Sequence, residues 1–202
     1  MLFDTIAQDL STQGYSVHPN ALPPDLAKRL QQQARATEFS KAGVGRKLDH
    51  ALNSNVRSDE ICWINADTEA GADWLNWAEA LQTHLNQRLF LGLFSFESHF
   101  AHYAKGDFYK KHLDAFKGEA NRVLSLVVYL NADWQPNEGG ELVIYNEHGD
   151  ELRHVSPDLG TVVVFLSEEF PHEVLPAQRD RYSIAGWFRV NTSSAGHVDP
   201  PR

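Results

Sequence analysis

Three residues of this chain have the types and spacing to hold a metal ion: His112 and Asp114, separated by Leu113, and His172, 58 positions further on. Two imidazoles and one carboxylate are the set that holds non-haem Fe(II) on one face and leaves coordination positions open for oxygen chemistry. If residues 108 to 114 run extended, side chains two apart share a face, so His112 and Asp114 converge while Leu113 turns into the opposite layer. The third ligand must then come from a distant strand, and His172 qualifies. Alone the triplet is a weak sign, because the chain carries ten histidines and many His-x-Asp triplets bind nothing.

Arg181 follows nine positions after His172. From Arg181 to Val190 the chain is rich in β-branched and aromatic residues, a strand composition. Alternation sets Arg181, Ser183, Ala185 and Trp187 on one face, with Tyr182, Ile184, Phe188 and Val190 on the other. A face that runs Arg, Ser, Ala makes a pocket with a cationic fork at its end, and a planar guanidinium there binds a carboxylate bidentately. The plainer alternative is an edge-strand arginine whose head reaches water. In the apolar run Val123 to Leu130, residues Val123, Ser125, Val127 and Tyr129 share a face. A tyrosine ending such a strand is more often a core residue with its hydroxyl tied off; beside an arginine it would serve as a carboxylate donor.

The elements that must position these residues read as α+β. Residues 2 to 12 and 24 to 36 have amphipathic helical patterns, the second opened by Pro23-Pro24-Asp25, with Gly14 to Val17 as a strand between them. Residues 39 to 59 are polar and Gly-containing without a period, and a loop that long in a compact domain is usually functional or mobile. Residues 72 to 90 space Trp74, Leu75, Trp77, Ala78, Leu81 and Leu85 as a third helix, whose tryptophans read as core packing rather than a binding box. From Phe94 onward, short strands separated by turn signals suggest a barrel or two-sheet jelly roll with the helices on its outer face. His99 and His102 lie three apart on one strand, hence on opposite faces, and cannot pair as ligands. His148 and His154 flank a turn and read as solvated; Gly139-Gly140 reads as a tight turn rather than a phosphate cradle. The tail from Thr192 to Arg202 has a disordered composition.

Composition fits one compact enzyme domain. A chain of 202 residues buries about 70% of its unfolded surface in a single core, enough to enclose a pocket. The formal net charge of −9 with scattered cations argues against nucleic acid and against an anionic membrane surface. The single cysteine, Cys62, excludes an intrachain disulfide and suits a reducing compartment. The start MLFDTIAQDL has no cationic lead and no long apolar run, so neither signal peptide nor membrane span is expected, and a cytoplasmic location is the default.

Several ordered segments together are far more specific than His-x-Asp: YAKGDFYKKHLD, RVLSLVVYLNADW, GGELVIY, PHEVLPAQRDRYSIAGWF and, upstream, VRSDEICWI. On these the chain resembles the 2-oxoglutarate/Fe(II)-dependent dioxygenases, and within them a bacterial member of the oxygen-sensing (hypoxia-inducible-factor, Egl-9) prolyl 4-hydroxylases. The resemblance implies a double-stranded β-helix core, with residues 1–202 as a single dioxygenase domain: 1–93 helical support with a mobile substrate loop at about 40–59, 94–190 the jelly-roll core, 192–202 a tail. It makes His112, Asp114 and His172 the iron ligands, at the catalytic centre, and Arg181 the anchor for the distal carboxylate of 2-oxoglutarate. Tyr129 becomes a second donor to that carboxylate, and Tyr103, Tyr109, Leu142, Val174 and Trp187 become pocket walls. Arg57, Asp59 and Arg122 fall where the family contacts its protein substrate. Implied with them are O2 as oxidant, ascorbate as a reductant, succinate and CO2 as co-products, and a prolyl residue of a protein as target. Bacterial relatives have been linked to elongation factor Tu, a partner that the sequence itself does not name. The same chemistry on another side chain or small molecule, or a non-catalytic metal-binding jelly roll, would keep much of this pattern.

Overall fold

A computed structural model describes residues 1–42, 56–115 and 121–191 of the chain. The 40–59 loop falls largely outside the described residues, as does the 192–202 tail. Helix α1 (Leu2–Gln13) stops at Gly14, whose φ of 79° suits a residue without a Cβ and whose N–H caps the Leu10 carbonyl. Strand β1 (Tyr15–His18) follows, then α2 (Pro24–Ala36), with proline in its first turn where no N–H is needed. Strands β2 (Ser40–Lys41) and β3 (Glu60–Trp63) precede α3 (Glu69–Leu89). The third helix begins three residues before its periodic pattern because the Thr68 hydroxyl accepts the Gly71 N–H at 3.0 Å and caps it there.

The rest is strand: β4 (Leu93–Tyr103), β5 (Tyr109–His112), β6 (Arg122–Tyr129), β7 (Leu142–Tyr145), β8 (Glu151–Val155), β9 (Val162–Leu166), β10 (His172–Val174) and β11 (Arg181–Val190). They form two antiparallel sheets, one of seven strands in the order β1-β9-β6-β11-β4-β3-β2 and one of four in the order β5-β10-β7-β8. The N-terminal part therefore supplies more than helices, since β1, β2 and β3 complete both ends of the larger sheet. Ser40 and Lys41 pair with Ile61 and Glu60, and the Lys110 N–H donates to the Val56 carbonyl at 2.9 Å. Both described ends of the expected loop are thus bound into the fold.

Alternation along the larger sheet builds two cores. Leu124, Leu126, Val128, Val162, Val164, Ile184 and Phe188 face outward and pack with Ile6, Leu10, Leu26, Leu30, Trp74, Leu81 and Leu85 of the helices. Trp74 is fully buried and its indole N–H donates to the Ser98 hydroxyl at 3.0 Å, which makes it a core residue. The opposite face meets the smaller sheet through Ala101, Tyr103, Tyr129, Leu142, Ile144, Val163, Phe165 and Val174. The candidate site opens from this inner layer. Among the described residues, no helix is long and apolar enough to cross a membrane.

Candidate active site

His112 and His172 stand directly opposite one another on neighbouring strands β5 and β10. Their rings lie 4.3 Å apart. The Nδ1–H of His112 donates to the Lys110 carbonyl at 2.7 Å, and that of His172 to the Phe170 carbonyl at 3.0 Å. Because a carbonyl only accepts, each ring keeps its Nε2 lone pair free for a metal. The strand carrying His112 ends there, so Asp114 reaches the site from a bend and not from the extended run expected over 108 to 114. What brings it in is a hydrogen bond from the larger sheet, Ser125 Oγ to Asp114 Oδ2 at 2.6 Å. Asp114 Oδ1 lies 3.6 Å from His112 Nε2, and Oδ2 lies 3.7 Å from His172 Nε2. Among the described residues, these three side chains form the one group able to hold a metal, with their ligand atoms within 4.8 Å of one another.

The electrostatics suit a cation. Burial opposes ionisation of Asp114, but the two imidazoles and the Ser125 hydroxyl outweigh it and hold the carboxyl well below its usual range. Burial also pushes His172 down to about 4, against the pull of Asp114, so the ring is neutral and ready to ligate.

Tyr109 and His112 are three residues apart, a spacing that would put them on opposite faces of a regular strand. They nevertheless stack, with ring centroids 3.6 Å apart. The pairing of β5 with β10 shifts by one residue between His172 and Val174, and this irregularity resets the alternation.

Arg181 is 1% exposed. Its Nε donates to the Gly140 carbonyl at 2.8 Å and its Nη1 to the Ser183 hydroxyl at 3.2 Å, while its guanidinium lies 4.9 Å from the Tyr103 ring and 5.0 Å from that of Tyr129. The Gly139-Gly140 turn therefore does more than reverse the chain. Gly140 has a φ of 73°, and a Cβ there would come within 3.3 Å of the Arg181 side chain. The Tyr129 hydroxyl is buried and finds no hydrogen-bond partner. Burial pushes its phenol up to about 12 despite the neighbouring guanidinium, so it is present as a donor. An orphaned buried hydroxyl beside a buried guanidinium fits a carboxylate better than an apolar core, where it would be costly.

Tyr103, Tyr129, Leu142 and Val174 gather in the inner core with Tyr109 at its margin. Trp187 stands apart from them, six residues along the Arg181 face and paired across the sheet with Ser125 and Glu97. Its indole packs under Arg122 at 3.7 Å, and Glu97 holds that arginine at 2.8 Å. Arg57 lies over the Tyr109 ring at 4.4 Å and forms two hydrogen bonds to Asp59, at 2.7 and 2.5 Å. The Asp59 side chain is fully buried, so this pair is not the solvated loop charge that its composition suggests. Sequence reasoning missed Ser125 as the partner of Asp114, Gly140 as the partner of Arg181, and Glu97. The shared face of Ser125 and Tyr129 was the one available signal for the first of these.

His99, which the alternation sets apart from His102, is 3% exposed and packs between Trp63 and Trp187. Burial and then the nearby Arg57 lower its pKa to about 4 from 6.5. Below pH 6.5 the unfolded chain takes up a proton that folded His99 refuses, so its contribution to stability is constant above 6.5 and falls as pH drops toward 4. The loss at pH 4 is at most about 3 kcal/mol. Urea unfolding at pH 7 and pH 5 should show that the stability gap between wild type and His99→Gln narrows at the lower pH; an unchanged gap would mean the ring titrates normally.

Residues 98–189 match the family described as the 2OG-Fe(II) oxygenase superfamily. The fold superimposes on a Pseudomonas putida prolyl-4-hydroxylase with a TM-score of 0.87 and 41% identity, over 94% of this chain and 100% of that one. The chain belongs to the 2OG-Fe(II) oxygenase superfamily, in its prolyl hydroxylase branch. A Trichoplax adhaerens prolyl hydroxylase, solved with a fragment of the hypoxia inducible factor oxygen degradation domain, is 25% identical with a TM-score of 0.81, covering 93% of this chain and 89% of that one. Human Egl nine homolog 1 is 25% identical over 93% of this chain and 46% of its own length. The chain thus spans about half the length of the curated relatives first in similarity. Membership of this family implies the double-stranded β-helix core that the two sheets form, and Fe(II), 2-oxoglutarate and O2 as reaction partners.

Proposed function

We propose that the chain works as one dioxygenase domain that hydroxylates a prolyl residue of a protein, with elongation factor Tu as the first candidate. The observation that carries this reading is the pairing of a His-Asp-His set with a buried arginine and an unpartnered tyrosine hydroxyl in the same inter-sheet layer. Fe(II) would be held by His112 Nε2, His172 Nε2 and the Asp114 carboxylate. The far carboxylate of 2-oxoglutarate would take the guanidinium of Arg181 and the phenol of Tyr129. When bound, iron, 2-oxoglutarate and O2 supply the oxidising chemistry, giving succinate, CO2 and a hydroxyl on the substrate carbon. Ascorbate would serve to keep the metal reduced. The chain's own share is orientation and exclusion of water: Leu142 and Val174 line the layer with apolar surface, and Tyr109 fixes the His112 ring by stacking on it.

Arg57, Asp59 and Arg122 would meet the protein substrate. Arg57 touches Tyr109, which in turn stacks on His112, so a group bound there lies close to the metal without ligating it. Arg57→Ala should cost about 3 to 5 kcal/mol of stability, because it strands a buried carboxylate. Arg57→Ala combined with Asp59→Ala should regain much of that loss. If the pair recognises substrate, the double variant will still bind Fe(II) and 2-oxoglutarate but fail to hydroxylate the protein. Full activity of the double variant would assign the pair to folding alone.

The function is tested by incubating the purified chain with Fe(II), 2-oxoglutarate, O2 and a bacterial lysate, then measuring succinate and mapping oxygen incorporation by peptide mass spectrometry. A prolyl residue of elongation factor Tu should gain one oxygen. Succinate release with the oxygen on a different residue or a small molecule would move the chemistry to another substrate, and absence of succinate would leave a metal-binding protein.

A further inference from the structure

Strand β6 reads Arg-Val-Leu-Ser-Leu-Val-Val-Tyr, and its serine is 1% exposed; Ser167, just past β9, is 0% exposed. Two hydroxyls in a layer of valine, leucine and phenylalanine are costly there unless bonded. Both are bonded, and in series: Ser125 Oγ to Asp114 Oδ2 at 2.6 Å, and Ser125 Oγ to Ser167 Oγ at 2.9 Å.

Proton counting fixes the direction. A serine has one O–H. The Asp114 carboxylate can only accept, so the Ser125 proton goes to Oδ2 and Ser167 must donate to Ser125. Polarised by Ser167, the Ser125 hydroxyl is a stronger donor than it would be alone. Backbone anchors hold the chain at both ends: the Ser167 N–H donates to the Val123 carbonyl at 3.0 Å, and Ser125 is paired across β6 and β11 with Trp187. Asp114 lies on a bend past the end of β5, and among the described residues no strand pairing holds it, so this relay supplies the rigidity that a ladder gives to His112 and His172.

We infer that Ser125, backed by Ser167, is a positioning residue that occupies Oδ2 and keeps Asp114 a one-oxygen ligand through Oδ1. The inference rests on the metal reading of the triad. A carboxylate free to rotate would offer both oxygens to the ion and fill a position that co-substrate or O2 needs. With Oδ2 engaged from the larger sheet, Oδ1, 3.6 Å from His112 Nε2, would be the oxygen left to ligate.

Anaerobic Co(II) titration of the full chain, followed by visible absorption, tests this without turnover. Ser125→Ala should bind Co(II) about 10- to 100-fold more weakly, because the carboxylate is no longer held in position, and show an altered Co(II) band, because the released oxygen is free to approach the ion. Ser125→Thr keeps the hydroxyl and should restore both affinity and band. Ser167→Ala should change both in the same direction by less, and add nothing in the Ser125→Ala background. Wild-type affinity and band in Ser125→Ala would overturn the inference. So would a threonine variant as weak as the alanine one, since packing and not the hydroxyl would then be at fault. If the wild type itself fails to bind Co(II), or binds it unchanged after His172→Ala, the metal reading of the triad has failed instead.

Discussion

Asp114→Ala is expected to lose Fe(II) and turnover together. The carboxylate sits between two imidazole Nε2 atoms at 3.6 and 3.7 Å, so the methyl removes a ligand and the one negative charge that offsets the ion. The variant should still fold, since the carboxylate contributes little to either core. The Ser125 hydroxyl loses its acceptor while Ser167 keeps Ser125 as its own, a cost of about 1 to 3 kcal/mol for a stranded buried group. Iron content after anaerobic reconstitution and succinate release measured on one preparation decide the matter. Retention of iron at the wild-type level would remove Asp114 from the site.

The second large effect is expected at Arg181. Lysine keeps the charge but cannot reproduce a fork whose Nε is held by Gly140 and whose Nη1 is held by Ser183. The 2-oxoglutarate affinity of Arg181→Lys should fall by about 1.5 to 3 kcal/mol, roughly 10- to 150-fold. Arg179, two residues earlier, gives the contrast. It stacks on Trp134 at 4.4 Å and donates to the Ala132 carbonyl at 2.8 Å, so Arg179→Lys should perturb that corner and leave 2-oxoglutarate binding nearly unchanged. Calorimetric titration of both variants checks this, and a reversal of the two would misplace the co-substrate end of the layer.

Much of this arrangement is legible in the chain because strands write their faces into alternate residues. Arg181, Ser183 and Trp187 could be assigned to one face, and Ile184 and Phe188 to the other, from period alone. His99 and His102 separated for the same reason. Less was legible where an irregularity or a distant partner decides. The one-residue shift between β5 and β10 that stacks Tyr109 on His112 leaves no mark in composition. Nor does the burial of Asp59, because a carboxylate in a polar stretch reads as solvated until its arginine is found stacked on a tyrosine 52 residues away. The pairing of β1 with β9 joins Tyr15 to Phe165 across most of the chain, and only the folded sheet reveals it. Ser125 illustrates the limit best. A hydroxyl among valines was assigned to the correct face, but nothing in the strand itself names an aspartate on another element as its acceptor.

The two histidines belong to the four-stranded sheet, whereas Arg181, Tyr129 and the serine that holds Asp114 belong to the seven-stranded one. Anything that engages both groups at once spans the gap between the layers, and the complete set of ligands exists only while the layers are closed. An open or unfolded chain cannot compete for such a guest, so binding free energy passes wholly into the global stability of the sandwich. At a hundred times the dissociation constant this adds about 2.7 kcal/mol. The supply of metal and co-substrate in the cell would therefore govern how long the folded chain survives as well as how fast it reacts.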